Sequence, residues 1–300
     1  MKVWIAIFVL LIVGALAFYL YSEPDEIDTN EVDELVETKP FDVIGVSLEW
    51  REIQAYRFGA TGGGEKKLLL IGAIHGGYEW NTAILSYQLI DYFLTNPEVI
   101  PSGIEVVVVP VANPDGLHKT VGTSERFSLE DAPKFEYRGD VPTDSAIVSG
   151  RFNANGVDLN RNFDCKWKPD AIWGDDEVSA GDSVFSEPES KVLRDFFIAE
   201  EPTAIIFFHS AANGIYPSFC EGDPSEETAE LAEIYSVASG YPSYENFASY
   251  EVTGDAGDWA SKLGIPSITV ELSTHSAIEF EENLAGVDAA LKHYSESVEF

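Results

Sequence analysis

His75 and Glu79 stand four positions apart just beyond a short apolar run, Leu68-Leu-Leu-Ile71. Neutral imidazole and ionised carboxylate are both good zinc donors, so the two converge on one ion if the loop lets them. The length of the run and the glycine behind it predict a buried strand. Ile84, Leu85, Leu89 and Phe93 then fall roughly on one helical face. That places the pair at the carboxyl end of a strand, where open α/β sheets hold ligands. Two more strand ends carry matching chemistry: Thr203 to Phe208 delivers His209, and Ser267 to Leu272 ends near Glu271. A catalytic zinc site takes three protein ligands and leaves one position open. His75, Glu79 and His209 supply the three, and Glu271 stays free to accept a proton from water. Singly, each has an ordinary reading as a solvated loop histidine, a core histidine or a salt-bridged carboxylate; together they point to metal-assisted hydrolysis.

The elements that must position these residues follow from periodicity. Phe41 to Gly59 alternates as a hairpin, and Thr61-Gly-Gly-Gly64 turns the chain into the strand before His75. A helix over 79–94 follows, and then a β-branched run from Ile104 to Val111 that suits a strand buried on both faces. Asn113-Pro-Asp-Gly116 reads as a turn, and residues 117–155 as a long polar loop without periodicity. Ser186-Glu-Pro-Glu189 predicts a helix over 187–199 with Ser186 as its N-cap. Helices near 225–239 and 255–263 and a terminal helix over 281–297 complete the chain. Strand and helix alternate, which predicts one α/β domain over residues 41–300 with a central mixed, mostly parallel sheet flanked by helices.

Charge restricts the partners. Against 18 Lys and Arg stand 52 Asp and Glu, a net charge of −34, and such a surface repels nucleic acid and anionic lipid headgroups. Val3 to Ser22 has neither charge nor proline, enough to cross a bilayer as a helix, with Lys2 before it and acidic residues after it. Residues 1–22 are expected to be a membrane anchor, or a signal peptide cleaved near Ala15-Leu-Ala17. Residues 23–40, with eight acidic residues and one base, are expected to be an extended linker. Either reading puts the rest of the chain outside the cytoplasm, where Cys165 and Cys220 are free to pair; two buried thiols are the alternative.

The octapeptide Gly156-Val-Asp-Leu-Asn-Arg-Asn-Phe163 resembles a motif of the zinc carboxypeptidases of the carboxypeptidase A type. The resemblance runs roughly from Ile44 to Leu291. It includes the Asn113 turn, the His209-Ser210 dipeptide and Tyr250-x-x-Thr-Gly-x-x-x-Asp-Trp259. It implies that Asn160 and Arg161 hold the carboxylate of a peptide substrate, a task suited to a planar guanidinium. It implies that Asp158 orients a zinc-bound histidine. Tyr250 would cap the substrate, and Arg151, rather than Arg126 or Arg138 of the same long loop, would polarise the scissile carbonyl. Gly257 matches a position that sorts terminal side chains. Asp255 nearby would then meet a basic terminal residue or serve only as a helix cap.

One departure concerns the metal loop. The family places two residues between the ligating His and Glu, whereas Gly76, Gly77 and Tyr78 make three here, with Tyr78 at the usual glutamate position. The glycines are expected to absorb the extra residue in a bulge. No folded inhibitory prodomain is expected between the apolar segment and the domain. The resulting expectation is a zinc-dependent carboxypeptidase. The alternatives are an amidohydrolase of the succinylglutamate desuccinylase and aspartoacylase type, which should lack the Tyr250 to Trp259 segment, and an inactive module that binds peptide ends.

Overall fold

The computed structural model describes residues 40–60, 66–132, 137–138, 141–142 and 145–296. The expected apolar segment over 1–22 and nearly all of the acidic linker lie outside the described residues. Among the described residues no helix is long and apolar enough to cross a membrane.

In chain order the strands are β1 (Asp42–Val46), β2 (Glu52–Gly59), β3 (Lys66–Ile71), β4 (Ile104–Val109), β5 (Tyr137–Arg138), β6 (Val141–Pro142), β7 (Asp170–Trp173), β8 (Asp176–Ser179), β9 (Ala204–Ser210), β10 (Gly214–Pro217) and β11 (Ser267–Leu272). The helices are α1 (Trp80–Thr95), α2 (Pro114–Val121), α3 (Ser145–Ser149), α4 (Pro188–Glu200), α5 (Glu226–Ser239), α6 (Ala256–Lys262) and α7 (Phe280–Glu296). Seven strands form one mixed sheet in the order β1-β2-β4-β3-β9-β11-β10. Its centre, β4, β3, β9 and β11, is parallel, while β1, β2 and β10 join antiparallel at the two sides. Helices cover both faces, as an α/β domain requires.

The period of two along each strand sorts the core. Leu68, Leu70, Val106, Val108, Ile206 and Phe208 pack on one face with α1, α5 and α7, and Leu69, Ile71, Val107, Val109, Ile205 and Phe207 on the other with α4 and α6. Each such side chain, removed from water, contributes about 1.5–3 kcal/mol. Parallel β3, β9 and β11 are neighbours, so their carboxyl ends open on the same edge of the sheet. His75, His209 and Glu271 are thereby brought together from distant parts of the chain.

Three local expectations change. Asn113 starts a helix rather than an isolated turn: its Oδ1 accepts from the Gly116 N–H at 2.8 Å, and Pro114 follows at the first helical position. Asn before Pro signals both a turn and a helix N-terminus, and the packing of α2 against the His75 loop selects the helix. The cap of α4 is Glu187, not Ser186. Ser186 Oγ instead meets the Glu187 carboxylate and Asn162. The region read as loop over 117–155 contains β5, β6 and α3, and the β7–β8 hairpin and β10 are strands that the sequence reading does not predict; all are too short to stand out by periodicity.

Candidate metal centre and active site

The loop after β3 accommodates its extra residue through backbone geometry. Gly76 takes φ +47°, residues Gly76–Glu79 form a 3-10 turn, and the Gly77 N–H donates to the Gly150 carbonyl at 3.0 Å. A Cβ on Gly76 would lie 2.6 Å from that same carbonyl oxygen, and one on Gly77 2.3 Å from the Thr120 side chain. Only glycine permits both the left-handed turn and the close approach. The bulge expected of the two glycines is thus a tightened helical turn.

It presents Glu79 to both histidines. Glu79 Oε1 lies 2.7 Å from His75 Nδ1, Glu79 Oε2 lies 3.1 Å from His209 Nδ1, and the two Nδ1 atoms are 3.2 Å apart. One ligand atom from each of the three buried residues falls within 4.8 Å of the others. Two imidazole nitrogens this close to each other and to a carboxylate form a donor set suited to a cation. Burial alone would lower the pKa of His209, but the Glu79 carboxylate raises it, to about 9. Burial would raise that of Glu79, and His75 with His209 instead holds it well below the carboxylate range. Glu79 Oε2 and His75 Nε2 are buried without a well-directed hydrogen bond. Two nitrogen donors and one carboxylate fit zinc. Asp158 Oδ1 lies 3.4 Å from His75 Nε2, on the side of the ring away from the cluster, which leaves Nδ1 for the metal.

Glu271 stands beside the cluster. Its Oε2 accepts from the Ala212 N–H at 3.1 Å. Burial, helped by the charge of Glu79 and opposed by His209, pushes its pKa up to about 7. A carboxyl poised there can both take and return a proton near neutral pH.

The remaining predicted residues converge on a cavity of about 200 Å³ lined by His75, His209, Glu271, Arg151, Asn160, Arg161, Tyr250 and Asp255. Arg151 is buried, its Nε donates to Asp158 Oδ2 at 2.8 Å, and its Nη2 lies 2.8 Å from that oxygen without an aligned N–H. Arg126 belongs elsewhere, paired with Asp91 and set over the Tyr87 ring. The side chain of Arg138 lies outside the description. Arg161 lends three of its guanidinium nitrogens to backbone carbonyls of Asn160 and Ile172, and Tyr250 packs with its ring 6.0 Å from that guanidinium carbon.

Asp255 is the helix cap and also lines the cavity. Oδ1 caps α6 by accepting from the Asp258 N–H at 2.9 Å, while Oδ2 accepts from Asn160 Nδ2 at 2.6 Å in the cavity. Sequence reasoning missed Asp258, whose carboxylate also lines the cavity. Burial and then the charge of Asp255 push its pKa up to about 8. The signal was its place three residues after a helix cap. Lys166 was missed as well; it lines the rim and lies over the Phe219 ring. The Cys165–Cys220 disulfide adjoins both residues and ties the two walls, which settles the choice between pairing and free thiols.

The sequence profile of the family described as zinc carboxypeptidase matches residues 31–285. The chain belongs to that family. A murein peptide amidase A of Escherichia coli (strain K12) is 32% identical over 152 residues, 47% of this chain and 59% of the relative. A gamma-D-glutamyl-L-diamino acid endopeptidase 1 of Lysinibacillus sphaericus is 26% identical over 230 residues, 71% of this chain and 56% of the relative. The chain therefore spans less than two thirds of the length of these curated relatives. In fold, the zinc carboxypeptidase domain is similar to the crystal structure of the carboxypeptidase A of Helicoverpa armigera, with a TM-score of 0.65 at 21% identity over 86% of this chain and 69% of that one. Membership places the chain in a peptidase family that uses zinc, and His75, Glu79 and His209 form a cluster able to bind a metal ion.

Proposed function

We propose that this protein removes the carboxyl-terminal residue from peptides by zinc-dependent hydrolysis and prefers a terminal residue with a cationic side chain. The observation that carries the reading is the convergence, on one cavity, of the metal cluster, Glu271, and the Asn160, Arg161 and Asp255 group. Zinc on His75, Glu79 and His209 supplies Lewis acidity toward the scissile carbonyl and toward water. Glu271 accepts the proton of the attacking water and returns it to the leaving amine. Arg151 directs its unaligned Nη2 to the carbonyl oxygen as charge develops there. Asn160 and Arg161 meet the terminal carboxylate, which limits cleavage to a chain end. Tyr250 covers the bound residue, and the Asp255 carboxylate, with Asp258 ionising beside the incoming charge, accepts a side-chain ammonium or guanidinium that would otherwise be desolvated without a partner.

A more specific reading, a peptide of cell-wall type that ends in a diamino acid, is supported by the two relatives whose names include murein peptide and diamino acid together with the two cavity carboxylates. The disulfide supports an extracytoplasmic location, with the apolar segment over 1–22 as the membrane tether.

The test is a screen of the zinc-loaded protein against blocked dipeptides ending in Lys, Arg, a diamino acid, Leu or Phe. Release of the terminal residue, fastest for the cationic ones, is expected. Cleavage of amides that carry no free terminal carboxylate at equal rates would remove the chain-end reading and favour the amidohydrolase alternative.

A further inference from the structure

The residue that lengthens the metal loop does more than lengthen it. Tyr78 is 6% exposed, and its ring packs edge-on against Trp173 at 5.1 Å and His275 at 4.5 Å. The guanidinium carbon of Arg151 lies 5.6 Å from the Tyr78 ring centroid and 4.6 Å from that of Trp173. Neither aromatic residue lines the cavity of Asn160 and Asp255, whereas Arg151 does. The two rings therefore support the arginine from outside the space that the substrate enters.

Arg151 needs that support. Its Nε and Nη2 both lie 2.8 Å from one oxygen, Asp158 Oδ2, while Oδ1 is taken up by the Asn160 N–H at 3.1 Å and faces His75 Nε2 at 3.4 Å. A guanidinium paired with two carboxylate oxygens is fixed in plane; one that rests on a single oxygen can pivot about it. The ring faces of Tyr78 and Trp173 oppose the pivot through cation–π and stacking contacts. The backbone couples the same parts, because the Gly77 N–H donates to the carbonyl of Gly150, the residue before Arg151. The contacts of Tyr78 with Arg151, Trp173 and His275 are all made by its ring.

We propose that Tyr78 is a positioning residue that acts through Arg151: its ring, opposite the Asp158 oxygen, holds the guanidinium in the orientation that meets the scissile carbonyl. The inference rests on the role of Arg151 given above.

A double-mutant cycle on the full-length, zinc-loaded protein tests both, with zinc content and thermal melting measured for every variant. Tyr78→Phe keeps the ring and should leave kcat within about twofold of the parent. Tyr78→Leu should retain zinc and lower kcat roughly tenfold while KM stays within about twofold. In an Arg151→Ala background the same Tyr78→Leu change should alter kcat by less than about twofold, because the group it orients is gone. If the Leu variant does not fold, Tyr78→Met completes the cycle with an unbranched side chain. Additive losses in the cycle, a Tyr78→Phe loss equal to that of Tyr78→Leu, or loss of zinc from Tyr78→Leu would each overturn the proposal. Wild-type kcat in Arg151→Ala alone would instead overturn the role of Arg151 itself.

Discussion

His209 and Glu271 are register partners on the adjacent parallel strands β9 and β11. Paired positions of a parallel ladder send their side chains to the same face, so the metal ligand and the carboxyl beside it are set by sheet register rather than by loop conformation. Glu271 is thus close enough to sense the charge on His209 without belonging to the metal cluster.

Glu271→Gln should leave zinc bound and lower kcat by roughly 10²- to 10⁴-fold, since it removes a base and not a ligand. Elemental analysis of the variant alongside its turnover checks this. Loss of zinc, or near-normal turnover, would contradict the division of labour between Glu79 and Glu271.

The same carboxyl sets the acid side of the pH profile. Burial raises its pKa to about 7, and a base works only when ionised, so activity is lost as pH falls through that value. Zinc beside His209 is a cation that favours the ionised form. The midpoint of kcat/KM in the zinc-loaded enzyme should therefore lie between the ordinary carboxylate range and about 7. An acid limb centred clearly above 7 would assign it to another group.

Chelation should abolish activity and lower the melting temperature, and stoichiometric zinc should restore both. With the metal removed, the donor atoms of three buried residues are left within 4.8 Å of one another. At a free zinc concentration 100 times Kd, binding stabilises the fold by about 2.7 kcal/mol. Full activity in protein that holds no transition metal would exclude the centre.

Asp255→Asn separates charge from capping, because Asn caps a helix about as well as Asp. Melting should shift little, while kcat/KM for a terminal Lys or Arg should fall about 10- to 100-fold more than for Phe, the range expected when a charged hydrogen bond is lost. Equal losses on both substrates would leave Asp255 with its cap alone.

Cys165 and Cys220 are 55 residues apart, and closing a loop of that length contributes on the order of 4 kcal/mol by the chain-entropy relation. Titration of the unfolded, unreduced protein should find no free thiol. Reduction should lower the melting temperature and loosen the wall that carries Lys166 and Phe219.

Sequence alone determined the parts with strong local signals. The buried strands before His75, at His209 and before Glu271 were legible because β-branched and apolar runs of that length have few other ways to satisfy their backbones, and β11 was bounded at Ser267 and Leu272 as observed. The metal-capable cluster of His75, Glu79 and His209, and the place of Asn160 and Arg161 beside it, were legible by residue type and by motif, whereas the sequence leaves the pairing of Cys165 with Cys220 open and the structure decides it. Tertiary structure decided what local signals leave degenerate. Asn113-Pro114 encodes a turn and a helix start equally well, and only packing against the metal loop selects the helix. Arg126 and Arg151 are chemically identical; only the buried Asp158 draws one of them into the site, while Asp91 takes the other to the surface. Asp255 looked like a choice between cap and cavity residue, yet a carboxylate has two oxygens, and the fold uses one for the cap and turns the other to Asn160 in the cavity. The extra residue of the metal loop acquires its consequence only where the Gly76–Glu79 turn comes to lie beside the segment of Arg151, a meeting set by long-range contacts that no local pattern records.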